Sequence, residues 1–485
     1  MVEFREAPEG NEEMGSISGS SSEDVSRMLL ADSNFRLGPP NLSAPAQDNL
    51  PSIKIEGVAD SNPAKDKGET GTESCPVSKD YTKFIERTAR NIYDPSSLGD
   101  IEALKNKYNC QIKNVGDAIK YADEAVKVAG DLYTDVYPPV QAEAEQEARR
   151  GEFTGVGITL GRLPEGNPTD KGPVKVMGAV EGAPAQKAGV KEGDIITHVD
   201  GASLENVAYD DVVKNIRGEI GKPVTLTVLR QGLPLDITIG REKIEFQNVE
   251  DRMMEGNIGY IRLKNFTQND TVEDVKEALL RQSGADSYII DMRGNRGGQF
   301  RHGYGLAGLF LDQGDLLTTR ERMDSDPADP KYETRTYKLT ADKLKEEVKD
   351  EHTGNVETIL NDRPQDIVDK PFIVLVDGNT ASSAEIYTGA VKAHREGLVM
   401  GTRTFGKGIG QSVWSKMPGG SSLHVTTFRI FTPDGNWTGD GQNQRNGIEP
   451  DIVVNNPPGA ERGGPQDKQL QQARQYLTFL KASAK

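Results

Sequence analysis

The sequence predicts a multidomain protein of mixed α+β and α/β class, with a helical region, a small β-rich module and an α/β core in succession. Three observations support this prediction. Apolar residues recur every three or four positions from Tyr81 to about residue 150, short strands and glycine turns follow between 155 and 242, and predicted strands and helices alternate from Gly259 onward. A chain of 485 residues is long enough for roughly three domains.

Composition limits the possible partners and the compartment. The formal net charge of -17 argues against nucleic acid or an anionic membrane as the main partner. No stretch approaches the roughly 20 apolar residues of a membrane span. The N-terminus is acidic and lacks the apolar core of a signal peptide, so we expect a cytoplasmic protein. Cys75 and Cys110 lack metal-ligand spacing and are too few for a disulfide framework, so we interpret them as incidental and expect no metal or cofactor.

The first two segments differ in hydrophobic pattern. Residues 1–76 are rich in Ser, Gly, Pro, Asp and Glu, which predicts a disordered leader. Residues 77–150 form the predicted helical N-terminal region, in which 141–150 is a charged, alanine-rich helix or connector. The apolar positions of this region that recur at helical spacing include Phe84, Ile85, Ile92, Ile101, Leu104, Tyr108, Ile119, Ala122, Val126 and Ala129.

Residues 151–245 change to a strand-rich pattern. A glycine turn opens the segment, a helix is predicted at 209–217, and 224–239 is a predicted closing hairpin. This order is similar to that of a PDZ domain, in which backbone N–H groups of the glycine turn bind a peptide's C-terminal carboxylate. The resemblance implies a peptide site formed by Gly155, Val156, Gly157, Ile158 and Arg217. The alternative is a small β-domain without a ligand.

Residues 246–456 form the predicted α/β core, followed by a tail, 457–485, that ends in a helix. Within the core, 324–366 is polar, rich in charge and contains several prolines. We therefore expect an irregular insertion or a mobile surface element there.

The chemistry is concentrated between residues 371 and 411. A buried strand, Phe372–Val376, is followed by turn residues and by a helix with Ser382 and Ser383 at its start. A second strand leads into a glycine-rich loop that contains Lys407. A hydroxyl nucleophile, an amine and the free N–H groups of a helix start are the parts of an acyl-transfer site. The alternative is that the two serines only cap the helix.

Several motifs together resemble the carboxyl-terminal processing peptidases, PDZ-containing serine endopeptidases of the S41 type with a Ser-Lys dyad. They are DMRGNRGG (291–298), TASSAEI (380–386), TFGKGIGQ (404–411) and GIEPDI (447–452), in that order after the PDZ-like module. The turn Asp131-Leu132-Tyr133-Thr134 is similar to the one that closes the family's N-terminal helices. The resemblance covers about residues 81–455 and implies a crotonase-like ββα spiral core, no cofactor, and substrates that are protein or peptide C-termini. The family usually works outside the cytoplasm, so the resemblance and the acidic N-terminus leave two compartments open.

The resemblance also implies the role of each site residue. The family's nucleophile stands three residues before an acidic residue on one helix, which selects Ser382 with Glu385. The family's lysine corresponds to Lys407, and its glutamine four residues later to Gln411. The oxyanion hole is expected from the backbone N–H groups of Ser383 and of the Gly297-Gly298 pair. Arg296 stands where the family usually has proline, which leaves the exact donor open.

A lysine acts as a base at neutral pH only if burial lowers its pKa, typically to about 7–8. We expect Glu385 and Gln411 to orient the Lys407 amine. Because a paired carboxylate raises a lysine pKa, we expect the contact with Glu385 to be indirect or its effect to be balanced by desolvation. The residues expected to wall the amine from water are Met400, Phe405, Ile409 and Val413.

The sequence leaves three other functions open. A histidine-based triad has one reserve candidate, His302, among His198, His302, His352, His394 and His424. Residues 401–408 nearly spell a nucleotide-binding loop, but Gly408 replaces the Ser or Thr that holds magnesium, and a strand is predicted where that loop needs a helix. A catalytically inactive, peptide-binding scaffold on the same fold is the alternative to the peptidase.

Overall fold

The computed structural model describes residues 75–162, 171–180, 182–363, 368–439 and 446–483, so most of the predicted leader lies outside the described residues. The helices are α1 Lys79–Asn91, α2 Ile101–Asn106, α3 Val115–Val126, α4 Pro139–Arg149, α5 Pro184–Lys187, α6 Tyr209–Ile216, α7 Thr271–Arg281, α8 Phe300–Ala307, α9 Ser383–His394 and α10 Lys468–Ser483. Within these ranges, no helix is both long and apolar enough to cross a membrane.

The strands form three larger sheets and one short pair. In chain order they are β1 Asp135–Tyr137, β2 Glu152–Gly155, β3 Ile158–Arg162, β4 Val174–Ala179, β5 Ile195–Val199, β6 Ala202–Ser203, β7 Pro223–Arg230, β8 Leu233–Gly240, β9 Glu242–Glu245, β10 Val249–Met254, β11 Ile258–Leu263, β12 Ser287–Asp291, β13 Gly314–Arg322, β14 Tyr332–Leu339, β15 Lys343–Asp350, β16 Val356–Asp362, β17 Phe372–Val376, β18 Leu398–Gly401, β19 Ile409–Trp414, β20 Ser422–Phe431 and β21 Ile452–Val453.

The N-terminal helices pack onto the core and do not form a separate body. Tyr81 and Phe84 of α1 and Ala122 of α3 share one buried cluster with Leu423 and Val425 of β20. Asn114 caps α3, since its side-chain oxygen accepts from the Asp117 N–H at 2.9 Å. The helical region is therefore held directly against the sheet that carries the loop of residues 401–408.

The interpretation of the two cysteines as incidental is wrong. Cys75 and Cys110 form a disulfide that ties the residues before α1 to those after α2. Two cysteines make only one bridge, and their spacing in the sequence does not indicate that the helices bring them together.

The β-rich module is a small sheet of order β3-β4-β5-β7-β8, with β6 paired to β5. Val224, Leu226 and Val228 of β7 are fully buried while the residues between them are partly exposed, as expected for a strand with one face on a core. Helix α6 closes this core through Val212 and Ile216.

The α/β core places two loops at one edge of a parallel sheet. Its order is β10-β11-β12-β17-β18-β21, and every residue of β12 and β17 is buried, which explains why β17 is apolar throughout and why the centre of β12 is apolar. Strands β12 and β17 are parallel neighbours, so their carboxyl ends lie side by side. The loop of residues 292–298 and the turn of residues 377–382 begin at these ends and meet there.

The expectation of an irregular insertion at 324–366 is wrong for most of its length. Strands β14, β15 and β16 extend a seven-stranded sheet of order β1-β20-β13-β14-β15-β16, with β19 also paired to β20. Charged residues dominate these strands because most of both faces stays outside the core, and only a few positions such as Tyr337 and Leu339 are buried. Without a continuous buried face, the period-two hydrophobic signal of a strand is lost.

Candidate active site

Ser382 occupies a strained position between a buried strand and a helix. Its backbone has φ 56° and ψ -120°, a conformation that non-glycine residues rarely adopt. Two hydrogen bonds fix the turn: the Ala381 N–H donates to Asn295 O at 2.9 Å, and the Ser382 N–H donates to Glu385 Oε2 at 2.9 Å. A sharp strand-to-helix turn of this kind is one way in which a protein presents a serine hydroxyl for nucleophilic attack.

Glu385 joins the serine turn to the lysine loop. Its Oε2 atom accepts from the backbone N–H groups of both Ser382, at 2.9 Å, and Lys407, at 2.8 Å, so the two nitrogens lie within two hydrogen-bond lengths of each other. Its Oε1 atom accepts from the Gly406 N–H at 2.6 Å and the Thr404 hydroxyl at 2.5 Å. Burial raises the pKa of Glu385, while these hydrogen bonds favour its charged form. The carboxylate thus contacts the backbone of Lys407 directly.

Lys407 is buried, with 7% of its surface exposed. Its Nζ atom donates to Gln411 Oε1 at 2.8 Å and lies 4.5 Å from the centre of the Tyr133 ring. Burial lowers the pKa of Lys407 to about 8, against the opposing charges of Asp131 and Glu385. A substantial fraction of the amine is therefore neutral near pH 8.

The glycine loop after β12 lies against the serine turn. A Cβ atom added to Gly297 would come within 2.7 Å of the Ser382 Cβ and 2.9 Å of the Ser383 backbone nitrogen, so only glycine permits this approach. The Gly297 N–H donates to Asn295 Oδ1 at 2.9 Å. The Ser383 hydroxyl donates to the carbonyls of Gly298 and Gln299, both at 3.1 Å. Because the Gly297 N–H is already engaged, Gly298 is the better candidate donor of the pair.

One cavity of about 730 Å³ collects the proposed site residues. Ser382, Ser383, Gly297, Gly298, Lys407 and Gln411 line it together. Its apolar wall is formed by Val413, Phe300, Phe428 and Ile430, and Ala144 and Glu145 of α4 close another side. A space of this size and lining accommodates a segment of polypeptide.

The apolar residues expected around Lys407 separate into two groups. Val413 lines the cavity of Ser382, and Ile409 lines a neighbouring cavity that also reaches Lys407. Met400 instead belongs to the cluster on the α10 side of the core. Tyr133 and Asp131 approach Lys407 from the N-terminal region, and sequence reasoning assigned neither of them to the site. The only signal for them was the resemblance of the Asp131–Thr134 turn.

The five residues predicted to bind peptide line a single groove beside α6. Gly155, Val156, Gly157 and Ile158 form one wall, and Arg217 follows the end of α6. The Arg217 guanidinium lies 3.3 Å from Glu147 Oε2 and 4.4 Å from the centre of the Phe153 ring. Arg217 therefore links this groove to α4, the helix that also lines the Ser382 cavity.

The alternative sites are not supported by the geometry. His302 is buried and does not itself line the Ser382 cavity; its Nδ1 atom lies 3.1 Å from the Phe266 carbonyl, and its Nε2 atom accepts from Arg301 Nε at 3.3 Å. His424 does line this cavity, but its Nε2 atom lies 3.1 Å from Glu145 Oε2. The loop of residues 401–408 continues into strand β19, where a nucleotide-binding loop requires a helix.

The fold and this site define the class of the PDZ-containing serine peptidases. The model of peptidase family S41 matches residues 257–454, and the PDZ domain model matches residues 146–229. The carboxy-terminal-processing protease of Bartonella bacilliformis is 30% identical over 369 residues, which cover 74% of this chain and 75% of the relative. The chain belongs to the carboxy-terminal-processing proteases of family S41, which confirms the family and the fold class predicted from the sequence.

Two further proteins are similar to this chain. The probable CtpA-like serine protease of Staphylococcus aureus (strain COL) is 30% identical over 373 residues, which cover 76% of this chain. The chain spans 66% of the length of that relative. Among solved structures, the photosystem II D1 C-terminal processing protease is 24% identical with a TM-score of 0.46, covering 77% of this chain and 92% of that one.

Proposed function

We propose that the chain is a serine endopeptidase that cleaves protein substrates at or near their C-termini through a Ser382–Lys407 dyad. One observation carries the proposal: a single carboxylate oxygen of Glu385 binds the backbone N–H groups of both residues, on a cavity where the lysine is buried. Residues 246–456 supply the hydrolytic unit in this proposal, and residues 151–245 supply the unit that recognises the substrate tail.

The proposed reaction follows from the protonation state of the lysine. Neutral Lys407 accepts the Ser382 hydroxyl proton while Oγ bonds to the scissile carbonyl carbon, whose oxygen becomes an oxyanion. The N–H groups of Gly298 and Ser383 stabilise this oxyanion, and removing one such donor typically costs about 2.7–4 kcal/mol. Protonated Lys407 then gives its proton to the leaving amine as the C–N bond breaks, and water hydrolyses the acyl-enzyme by the same steps.

Substitutions in the dyad test this function. Wild-type protein, Ser382→Ala and Lys407→Ala are incubated with an unstructured protein substrate, and new C-termini are identified by mass spectrometry. We expect hydrolysis by the wild type alone. Ser383→Ala is the matched control and retains most activity, because the Ser383 backbone N–H survives the change. Equal hydrolysis by all four proteins would reject the dyad assignment, and no hydrolysis by the wild type would favour the inactive peptide-binding scaffold.

The role of the PDZ groove is tested through the substrate. Its glycine turn offers backbone N–H groups to a free carboxylate, so amidation of the substrate's C-terminus removes the charge that this turn binds. We expect amidation to raise KM for the wild type. Unchanged kinetics with the amidated substrate would reject recognition of the tail carboxylate.

The disulfide bears on the compartment. Bridges such as Cys75–Cys110 persist in oxidising compartments and are rare in the cytosol. We therefore propose that the chain works outside the cytoplasm, in place of the cytoplasmic expectation. Cell fractionation with thiol alkylation before lysis tests this: a cytosolic protein with both thiols alkylated would reject it.

A further inference from the structure

The turn of residues 131–134 contacts the proposed general base from outside the peptidase core. This turn closes the N-terminal helical region and reaches the Lys407 amine with the Tyr133 ring, whose centre lies 4.5 Å from Nζ. A cation over an aromatic face at this distance is stabilised by the ring quadrupole. The same ring covers part of the amine from solvent, which accords with the 7% exposure of Lys407.

A second route joins this turn to the amine by hydrogen bonds. Asp131 accepts from the Tyr133 N–H at 3.0 Å and from the Thr134 hydroxyl at 2.5 Å. The Thr134 hydroxyl oxygen accepts from the Thr426 N–H of β20 at 3.1 Å. The Thr426 hydroxyl then lies 3.4 Å from Gln411 Nε2, and Gln411 Oε1 binds Lys407 Nζ. The turn is thus connected both to the face of the amine and to its hydrogen-bond acceptor.

We propose that Tyr133 and Asp131 are positioning residues for Lys407, so that the N-terminal helical region completes the base of the peptidase site. The inference rests on the proposed function, because it assigns the two residues to the same dyad. Tyr133 holds and covers the amine, and the Asp131 carboxylate favours its protonated form. Without these two residues, one side of the pocket around the Lys407 amine would have no wall.

Other charged groups near Lys407 come from different elements. The Glu385 carboxylate of α9, like that of Asp131, raises the pKa of Lys407 by its negative charge. The two cavities that reach Lys407 are also lined by Asp94, Arg429, Arg296, Arg301 and the Glu145 carboxylate, which pairs with Arg149 and His424. Substitution of Asp131 leaves all of these in place, so its effect on the amine is separable from theirs.

The test measures the protonation of Lys407 directly and does not depend on catalysis. The protein is labelled with ¹³C-lysine in the Ser382→Ala background, and the Lys407 Cε signal, assigned by its loss in Lys407→Arg, is followed against pH. We expect a midpoint near pH 8 in the parent protein. Asp131→Asn lowers the midpoint by roughly 0.5 unit or more, since it removes a negative charge near the ammonium.

Matched variants separate positioning from a general effect on folding. Asp117→Asn removes an acid of the same helical region, whose carboxylate accepts hydrogen bonds from the Lys113 N–H and the Asn114 side-chain amide, and we expect it to leave the midpoint unchanged. Tyr133→Phe keeps the aromatic face and the parent midpoint. Tyr133→Leu fills a similar volume without a π-face and lowers the midpoint by roughly 0.5 unit.

The outcomes are distinguishable. An unchanged midpoint in both Asp131→Asn and Tyr133→Leu would overturn the inference, as would an equal shift in Asp117→Asn. If Asp131→Asn fails to fold, the Tyr133 pair decides alone. If the midpoints shift as expected but the protein that retains Ser382 hydrolyses nothing, the positioning role stands and the peptidase function is rejected. In an active enzyme, the acid limb of kcat/KM moves with the midpoint, which a merely structural role would not cause.

Discussion

The substitution Glu385→Gln tests whether one buried carboxylate holds the two halves of the dyad together. Four donors converge on Glu385: the N–H groups of Ser382 and Lys407 on Oε2, and the Gly406 N–H with the Thr404 hydroxyl on Oε1. Glutamine has nearly the same shape, but its amide nitrogen accepts no hydrogen bond. Whichever way the amide turns, one pair of donors loses its acceptor.

The expected magnitude follows from the burial of these donors. Each buried donor left without a partner costs about 1–3 kcal/mol, so two of them lower the free energy of unfolding by about 2–6 kcal/mol. If the amide nitrogen faces Ser382 and Lys407, the strained Ser382 backbone also loses the bond that restrains it. We then expect kcat/KM to fall by at least about tenfold, since a displaced nucleophile loses its alignment.

Two assays separate stability from positioning. Urea unfolding gives the change in the free energy of unfolding, and hydrolysis of a quenched fluorogenic peptide, measured where the variant is fully folded, gives kcat/KM. Glu346→Gln is a suitable control, because this carboxylate is also buried but pairs with Arg335 on the outlying strands β14 and β15. A Glu385→Gln protein with unfolding energy and kcat/KM both within experimental error of wild type would refute the reasoning.

Three further predictions concern the same region. The pKa of Lys407 is lowered to about 8, so kcat/KM rises with pH through about 8 as the amine loses its proton; a pH–rate profile that is flat from 6 to 9 would contradict this. Ser382→Gly relieves the strain of φ 56° and raises the free energy of unfolding, measured by urea unfolding, by about 1 kcal/mol. The same change abolishes hydrolysis because it removes the nucleophilic hydroxyl. The double change Cys75→Ser and Cys110→Ser opens a loop of 35 residues and lowers the free energy of unfolding by about 4 kcal/mol, measured against oxidised wild type.

The sequence predicted what depends on local pattern. The strand, turn and helix around Ser382 are continuous in the chain, and the apolar run of β17 together with the helix-start residues was sufficient to place them. Lys407 stands in the glycine-rich loop after the next strand, and the roles of Lys407 and Gln411 were predicted from the resemblance of the motif TFGKGIGQ to that of the family. The alternating burial of β7 was equally visible, because one face of that strand lies on the core of its own module.

What the sequence missed depends on contacts between distant segments. Tyr133 reaches Lys407 only because α1 and α3 pack against β20, and no periodicity in residues 77–150 indicates that packing. The engagement of the Gly297 N–H by Asn295 is a matter of loop geometry, which a Gly-Gly pair leaves undetermined. Strands β14 to β16 were not predicted because they are held together mainly by backbone hydrogen bonds and bury few apolar side chains.

The arrangement around Lys407 resolves a conflict between holding the lysine and keeping it neutral. Burial without any nearby charge would lower its pKa further. The neutral amine would then be a weaker base for the Ser382 proton. A direct ion pair with Glu385 would have the reverse effect, because it would stabilise the ammonium and remove the base at neutral pH. Glu385 avoids this by accepting from the backbone N–H of Lys407, so that it fixes the loop while Gln411, a neutral group, orients the amine. The proposed mechanism therefore requires that the strongest tether on the lysine loop be made to its backbone and not to its side-chain nitrogen.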